Sequence, residues 1–162
     1  MFNLFQLLRR LKTRVRYGRK VSLAISRMKA KTRWVPSEDE LQRGRAILLE
    51  DFEQEHNLPL QEFARRTNKT MQQLHEEIEN SKLLTISINS KSLKVPDWQL
   101  NPVKLQLTQS VLKHASDVDS WTLYWALSLP LEGLDGRPPV DAVTADSVDR
   151  VTDHVLSLLS IH

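Results

Sequence analysis

Apolar positions recur at helical spacing through most of the chain and alternate in only one stretch. Near the start, Leu4, Leu8, Leu11 and Val15 fall at steps of four, three and four, the spacing of one helix face. Arg9, Arg10, Lys12, Arg14 and Arg16 occupy much of the remainder. Gly18 interrupts this pattern before a second basic stretch from Val21 to Arg33. A further helix is predicted to begin at Ser37, because Ser37 and Glu40 have capping-box spacing, each side chain accepting a free backbone amide of the other. Leu41, Leu48, Leu49 and Phe52 form its predicted buried face, and Asn57 to Pro59 is expected to end it.

Two short periodic segments follow, Leu60 to Arg66 and Thr70 to Asn80, separated by the polar turn Thr67-Asn68-Lys69. Ala64 is small where one helix crosses the other, Asn68 tolerates left-handed backbone, and Leu74 and Ile78 are spaced to pack back. This is helix-turn-helix spacing. In the usual arrangement Thr70 caps the second helix and Met71, Gln72, Gln73 and His75 face the major groove. Gln72 and Gln73 then pair with adenine edges, while Arg65, Arg66 and Lys69 hold phosphates. Glu76, Glu77 and Glu79 on the same helix repel phosphate, so a purely structural helical hairpin is the competing reading.

The alternating stretch comes next. Leu84, Ile86 and Ile88 alternate with Thr85 and Ser87, Asn89 to Ser92 has turn chemistry, and Leu93 to Val95 can return as a second strand. The resulting β-hairpin is either a wing whose Lys91 and Lys94 reach a DNA backbone or a strand pair that closes a small core. Beyond Pro96 the pattern is helical again. Asn101-Pro102 reads as an N-cap and first helical residue, with Val103, Leu107 and Val111 in register. Asp119 or Ser120 caps a helix containing Trp121, Tyr124, Trp125 and Leu129, which Pro130 and Gly133 stop. After Leu134-Asp135-Gly136-Arg137-Pro138-Pro139, a last helix carries Val148, Val151, Val155, Leu158 and Leu159 on one face. The fold class expected is mainly α: a helix-turn-helix with a short wing-like β-hairpin, followed by a small C-terminal helical bundle.

Charge divides the same zones. Across its 162 residues the chain has net charge +3, but residues 1–33 carry eleven Lys or Arg and no acid, residues 34–96 eight basic and eleven acidic, and residues 97–162 four and nine. Ends so different are expected to meet different partners. The expected organisation is therefore a basic N-terminal helical arm at 1–33, a DNA-binding region at 34–96 and a bundle at 97–162. The arm reads as a pairing helix, as a mobile arm drawn to nucleic-acid phosphates, or as a helix lying on an anionic membrane.

Composition removes several chemistries. The chain has no cysteine, which excludes disulfides, zinc-thiolate sites and thiol nucleophiles. His56, His75, His114, His154 and His162 are dispersed without metal-ligand spacing, and the His75/Glu79 pair reads as a solvated helix face. There is no G-x-S-x-G elbow, and the four glycines form no phosphate loop. A non-enzyme without metal or cofactor is expected. No apolar run approaches the roughly 20 residues of a membrane span, and the positive charges follow the apolar Met1–Leu8 segment rather than preceding it, unlike a secretory signal. A soluble, cytoplasmic protein is the expectation.

The order Trp121 to Leu129, Pro130, Leu134-Asp135-Gly136-Arg137-Pro138-Pro139 and an apolar last helix resembles the C-terminal toxin-binding domain of Xre/MbcA/ParS-type antitoxins. In that family a tryptophan-rich helix precedes a loop of the form L-x-G-[RK]-x-P. The resemblance covers roughly residues 97–162, and such antitoxins also carry a helix-turn-helix upstream. The basic N-terminal zone and the β-hairpin depart from the family's usual Xre-like region. The resemblance implies a DNA-binding antitoxin of a type II toxin-antitoxin system, one that neutralises a toxin by direct binding and regulates its own operon. It also implies a toxin that acts on NAD, met by Trp125, Asp135, Gly136, Arg137 and Pro138. The residues themselves allow a simpler role for the corner, in which Gly136 makes the turn, the prolines fix the entry to the last helix, and Asp135 or Asp141 holds Arg137. The double-stranded-DNA contacts expected are Arg65, Arg66, Lys69, Thr70, Gln72, Gln73, Lys91 and Lys94. A homo-oligomer is expected in either case, and the alternative function is a stand-alone helix-turn-helix transcriptional regulator whose C-terminal bundle mediates dimerisation.

Overall fold

The computed structural model describes residues 37–89 and 92–160. The basic segment 1–33, Lys91 and His162 lie outside the described residues. The chain divides into two compact units between Leu48 and Leu49. Of the first, the described residues are 37–48, which open helix α1 (Glu38–Phe52). The capping box forms as the sequence spells it: Glu40 N–H donates to Ser37 Oγ at 3.3 Å and Ser37 N–H donates to Glu40 Oε2 at 2.9 Å. The leucine stripe expected on the buried face is fully buried only at its last position. Phe52 is 4% exposed, whereas Leu49 is 52% and Leu41 37% exposed.

The first element lying wholly within the second unit is one that the sequence pattern marks as a helix stop. Asn57–Pro59 forms strand β1, pairing antiparallel with β3 (Ser92–Pro96). The reason lies in Asn57, whose buried amide donates to the Asp51 carbonyl at 2.6 Å and to the Tyr124 hydroxyl at 3.1 Å. Pro59 costs no ladder bond because β1 lies at the sheet edge. Two helices follow, α2 (Leu60–Thr67) and α3 (Met71–Glu79), joined through Asn68, whose φ of 53° and ψ of 37° close α2 in the left-handed conformation. Leu60, Phe63, Ala64 and Leu74 from the pair bury against Leu58, Leu83 and Val95.

Strand β2 (Ile86–Asn89) pairs with β3, giving an antiparallel sheet in the order β1-β3-β2. The predicted alternation fails at its end, since Ile86 is fully buried but Ile88 is 45% exposed. A register shift between Ser87 and Asn89 accounts for this by turning the strand away from the core. Upstream of β2, the loop is tied down by a residue outside the apolar pattern. Gln99, in a short 3₁₀ turn at Asp97–Leu100, is 2% exposed; its Nε2 donates to the Leu84 carbonyl and its Oε1 accepts the Leu84 N–H, both at 2.9 Å.

The rest of this unit is helical: α4 (Pro102–His114), α5 (Ser120–Ser128), the short α6 (Pro139–Ala142) and α7 (Val148–Ser160). Asn101 and Asp119 cap α4 and α5 through side-chain oxygens, the first with Pro102 as opening residue. Helix α5 is buried from Thr122 to Leu127 on every side, the signature of a helix with no solvent face. Trp121 and Trp125 lie 5.2 Å apart and Trp121 and Tyr124 5.5 Å apart, centroid to centroid, while Tyr124 stacks on Trp98 at 5.4 Å. Phe52 of α1 meets Trp121 at 6.5 Å, Trp125 Nε1 donates to Asp51 Oδ2 at 2.7 Å, and Trp121 Nε1 donates to the Ser87 carbonyl at 2.9 Å. Residues 49–96 and 97–162 therefore belong to one compact unit, and the boundary expected at 96/97 falls inside it. Burial pushes the Tyr124 phenol above the usual tyrosine range; the Asn57 bond opposes this, and Asp51 and Asp97 add to it.

Replacing Gln99 by Met keeps its volume but leaves the buried Leu84 N–H and C=O without partners. An unsatisfied buried group costs about 1–3 kcal/mol, so we expect Gln99→Met to lower stability by about 2–4 kcal/mol in urea unfolding. A loss below about 0.5 kcal/mol would mean that Leu84 finds another partner.

Candidate functional site

Helix α3 presents the first candidate surface. Leu74 is buried and Met71 and Ile78 pack on the core, so geometry leaves Gln72, His75, Glu76 and Glu79 together on the exposed face. Thr70 caps the helix reciprocally with Gln73: Gln73 N–H donates to Thr70 Oγ1 at 3.2 Å and Thr70 N–H donates to Gln73 Oε1 at 2.8 Å. The Gln73 amide oxygen is thus engaged with the backbone, while Gln72 Nε2 donates to Glu76 Oε1 at 3.1 Å. Met71 is half-buried, and His75 Nδ1 lies 2.7 Å from the Met71 carbonyl.

Of the cations assigned to phosphate, Arg65, Arg66 and Lys69 each already have an acidic partner. Arg65 Nη2 and Arg66 Nε both lie 2.7 Å from Glu62 Oε1, with Arg65 Nε donating to Glu62 Oε2 at 2.9 Å. Lys69 Nζ lies 2.6 Å from Glu77 Oε1. The hydrogen bonds from Arg65 and then Arg66 hold the Glu62 carboxyl far below its usual value of 4.5, at about 2. Glu62 was missed by the sequence reading; its spacing of three and four from two arginines is the signal that finds it.

Lys94 departs from the expected wing contact. Its Nζ donates to the Phe52 carbonyl at 2.9 Å and to Glu53 Oε2 at 3.0 Å, and sits 4.6 Å from the Phe52 ring centroid. It serves the C-terminus of α1, where orphan carbonyls attract a cation. Lys91 lies outside the described residues. Between α3 and β3 runs an open cleft of about 540 Å³ lined by Leu60, Met71, His75, Leu93 and Lys94, among others.

The corner from Leu131 to Pro138 is the second candidate surface. Leu131 and Arg137 form an isolated antiparallel bridge, and Arg137 N–H donates to the Leu134 carbonyl at 3.1 Å. The two central residues of that turn, Asp135 at φ 56° and Gly136 at φ 71°, both have the positive φ that a type I′ turn requires, which explains the Asp-Gly pair. Leu134 is buried beneath, so Asp135, Gly136 and Arg137 stand exposed at a closed tip with Pro138 half-buried beside them. Asp141, one of the two carboxylates expected to hold Arg137, pairs with Lys104 at 2.9 Å. Trp125 is not part of this surface: it is 1% exposed, in the core, with its indole bonded to Asp51. On the neighbouring α7, His154 fills the space beside Gly133, where an added Cβ would lie 2.6 Å from the ring.

Among the described residues, no three His, Cys, Asp or Glu side chains cluster so as to hold a metal, and no helix is long and apolar enough to cross a membrane. The chain matches no family model, no curated protein and no solved structure.

Because its folded pKa lies below the unfolded value, the Glu62 fork contributes above about pH 4.5 and is lost as pH falls through about 2. An NMR titration of the Glu62 carboxyl carbon is expected to have its midpoint near 2. A midpoint near 4.5 would show that neither arginine is held in solution.

Proposed function

We propose that this protein is a DNA-binding, antitoxin-like regulator, with α2 and α3 as a helix-turn-helix, the β2–β3 hairpin as its wing and the Asp135–Pro138 corner as a surface for a partner protein. The observation that carries the reading is connectivity. Helix, strand, two helices joined by a tight turn, then a hairpin whose last strand pairs with the first strand, gives the sheet order β1-β3-β2 expected of a winged helix-turn-helix. A polar, reciprocally capped α3 with its outer face free supports the assignment of recognition helix.

Charge favours a division of work between the basic arm and α3. Arg65, Arg66 and Lys69 are matched by Glu62 and Glu77, and Glu76 and Glu79 add negative charge, so this surface supplies little attraction for phosphate. The eleven cations of residues 1–33 are the obvious source of salt-dependent affinity, leaving α3 to discriminate sequence. The toxin-facing role rests on the family resemblance of the corner, whose closed turn holds Asp135, Gly136 and Arg137 outward. The second reading, a stand-alone regulator, is favoured by the same turn's service to its own fold: Leu134 is buried and the bridge locks the entry to α6.

Glu62→Gln frees two arginines without adding a basic residue. If α2 borders DNA, the full-length variant should bind mixed-sequence duplex more tightly, with a slope of log affinity against log salt steeper by about 1–2. An unchanged slope would place α2 away from the backbone. Purification from native cells with nuclease separates the two functional readings: a small stoichiometric protein that survives digestion establishes the antitoxin, and DNA alone establishes the stand-alone regulator.

A further inference from the structure

The exposed face of α3 carries an apparent contradiction, a recognition helix with glutamates where phosphate must come close. The bond between Gln72 and Glu76 resolves part of it. The two residues are one turn apart, both are exposed, and Gln72 Nε2 donates to Glu76 Oε1 at 3.1 Å. A glutamine amide has two donor hydrogens and one acceptor oxygen, and an ionised carboxylate only accepts. The bond to Glu76 therefore fixes which end of the Gln72 amide is nitrogen. Of the two amide hydrogens, the one on the oxygen's side is the partner of that oxygen on a base edge, and it stays available when Glu76 takes the other.

That remaining donor–acceptor pair matches one base edge. Adenine offers N7 as acceptor and N6–H as donor in the major groove, whereas guanine offers two acceptors, O6 and N7. An unrestrained glutamine can turn its amide to present either pattern; a pinned one cannot. Gln73 is held differently, its oxygen accepting the Thr70 amide at the helix cap. We infer that Glu76 is a positioning residue that orients Gln72 to read adenine in the major groove, an inference that rests on the DNA-binding reading above. Glu76 does not itself touch the base in this arrangement.

The test selects bound duplexes from a randomised pool with full-length wild type, Gln72→Ala, Glu76→Ala and Glu76→Gln, at one fixed salt concentration, after thermal melts confirm that each variant folds. Wild type should enrich adenine over guanine about tenfold at one position of its site. Gln72→Ala and Glu76→Ala should both erase that preference and leave the other positions intact, while Glu76→Gln, whose amide oxygen still accepts, should retain it. A Glu76→Ala protein that binds every sequence more tightly with its preferences unaltered would overturn the inference, leaving Glu76 as a repulsive charge and the DNA-binding reading untouched. Wild type that enriches no duplex would overturn both.

Discussion

The second unit depends on the bond between the Trp125 indole and the Asp51 carboxylate, 2.7 Å long, at the centre of an aromatic seam. Asp51 comes from the end of α1 and Trp125 from a helix buried on every side, so this contact joins parts of the chain that are 74 residues apart. Around it, Phe52, Trp98, Trp121, Tyr124 and Trp125 meet at centroid distances of 5.2 to 6.5 Å, and the indoles of Trp98, Trp121 and Trp125 each find an acceptor. Aromatic pairs add about 0.5–1.5 kcal/mol beyond their burial, and unpaired buried indoles would reverse that gain. Asn57 shares the Tyr124 hydroxyl and, by doing so, holds β1 in place for β3. The sheet, and with it the setting of α2 and α3, is thereby anchored to the C-terminal helices.

This anchoring has a consequence for function. In a two-domain arrangement, a partner on the corner loop and a duplex on α3 would act separately. Here α5 packs against β2, and the indole of Trp121 binds the β2 backbone directly, so a partner that displaced α5 would disturb the hairpin as well. Trp125, which the family resemblance assigns to the toxin surface, instead belongs to the structural link between the two candidate surfaces.

Much of the helical plan was legible. Ser37, Thr70, Asn101 and Asp119 each cap the helix that their spacing announces, and Asn68 supplies the left-handed turn between α2 and α3. These are local devices, decided within three or four residues. What escaped was set by distant partners. Asn57–Pro59 has the composition of a helix stop and becomes a strand because Tyr124 and β3 receive it. Gln99 lies outside the apolar pattern, yet it completes the Leu84 backbone. Lys94 reads as a wing cation but turns to the end of α1, and Trp125, which the resemblance places among the toxin contacts, fills the core. At the candidate site the residue types could be read from the sequence, but their pairing could not, because Glu62 and Glu77 decide which cations are engaged.

In the function proposed above, α3, and not the basic segment alone, meets DNA. The most direct measurement is amide NMR shift mapping of the full-length chain titrated with a short mixed-sequence duplex at moderate salt. Shifts are expected to cluster at Thr70–Glu76 and along the β2–β3 hairpin, together with those of residues 1–33, with none at Asp135–Pro138. Shifts confined to residues 1–33, with Thr70–Glu76 unmoved, would contradict the proposed function and reduce the α2–α3 pair to a structural hairpin.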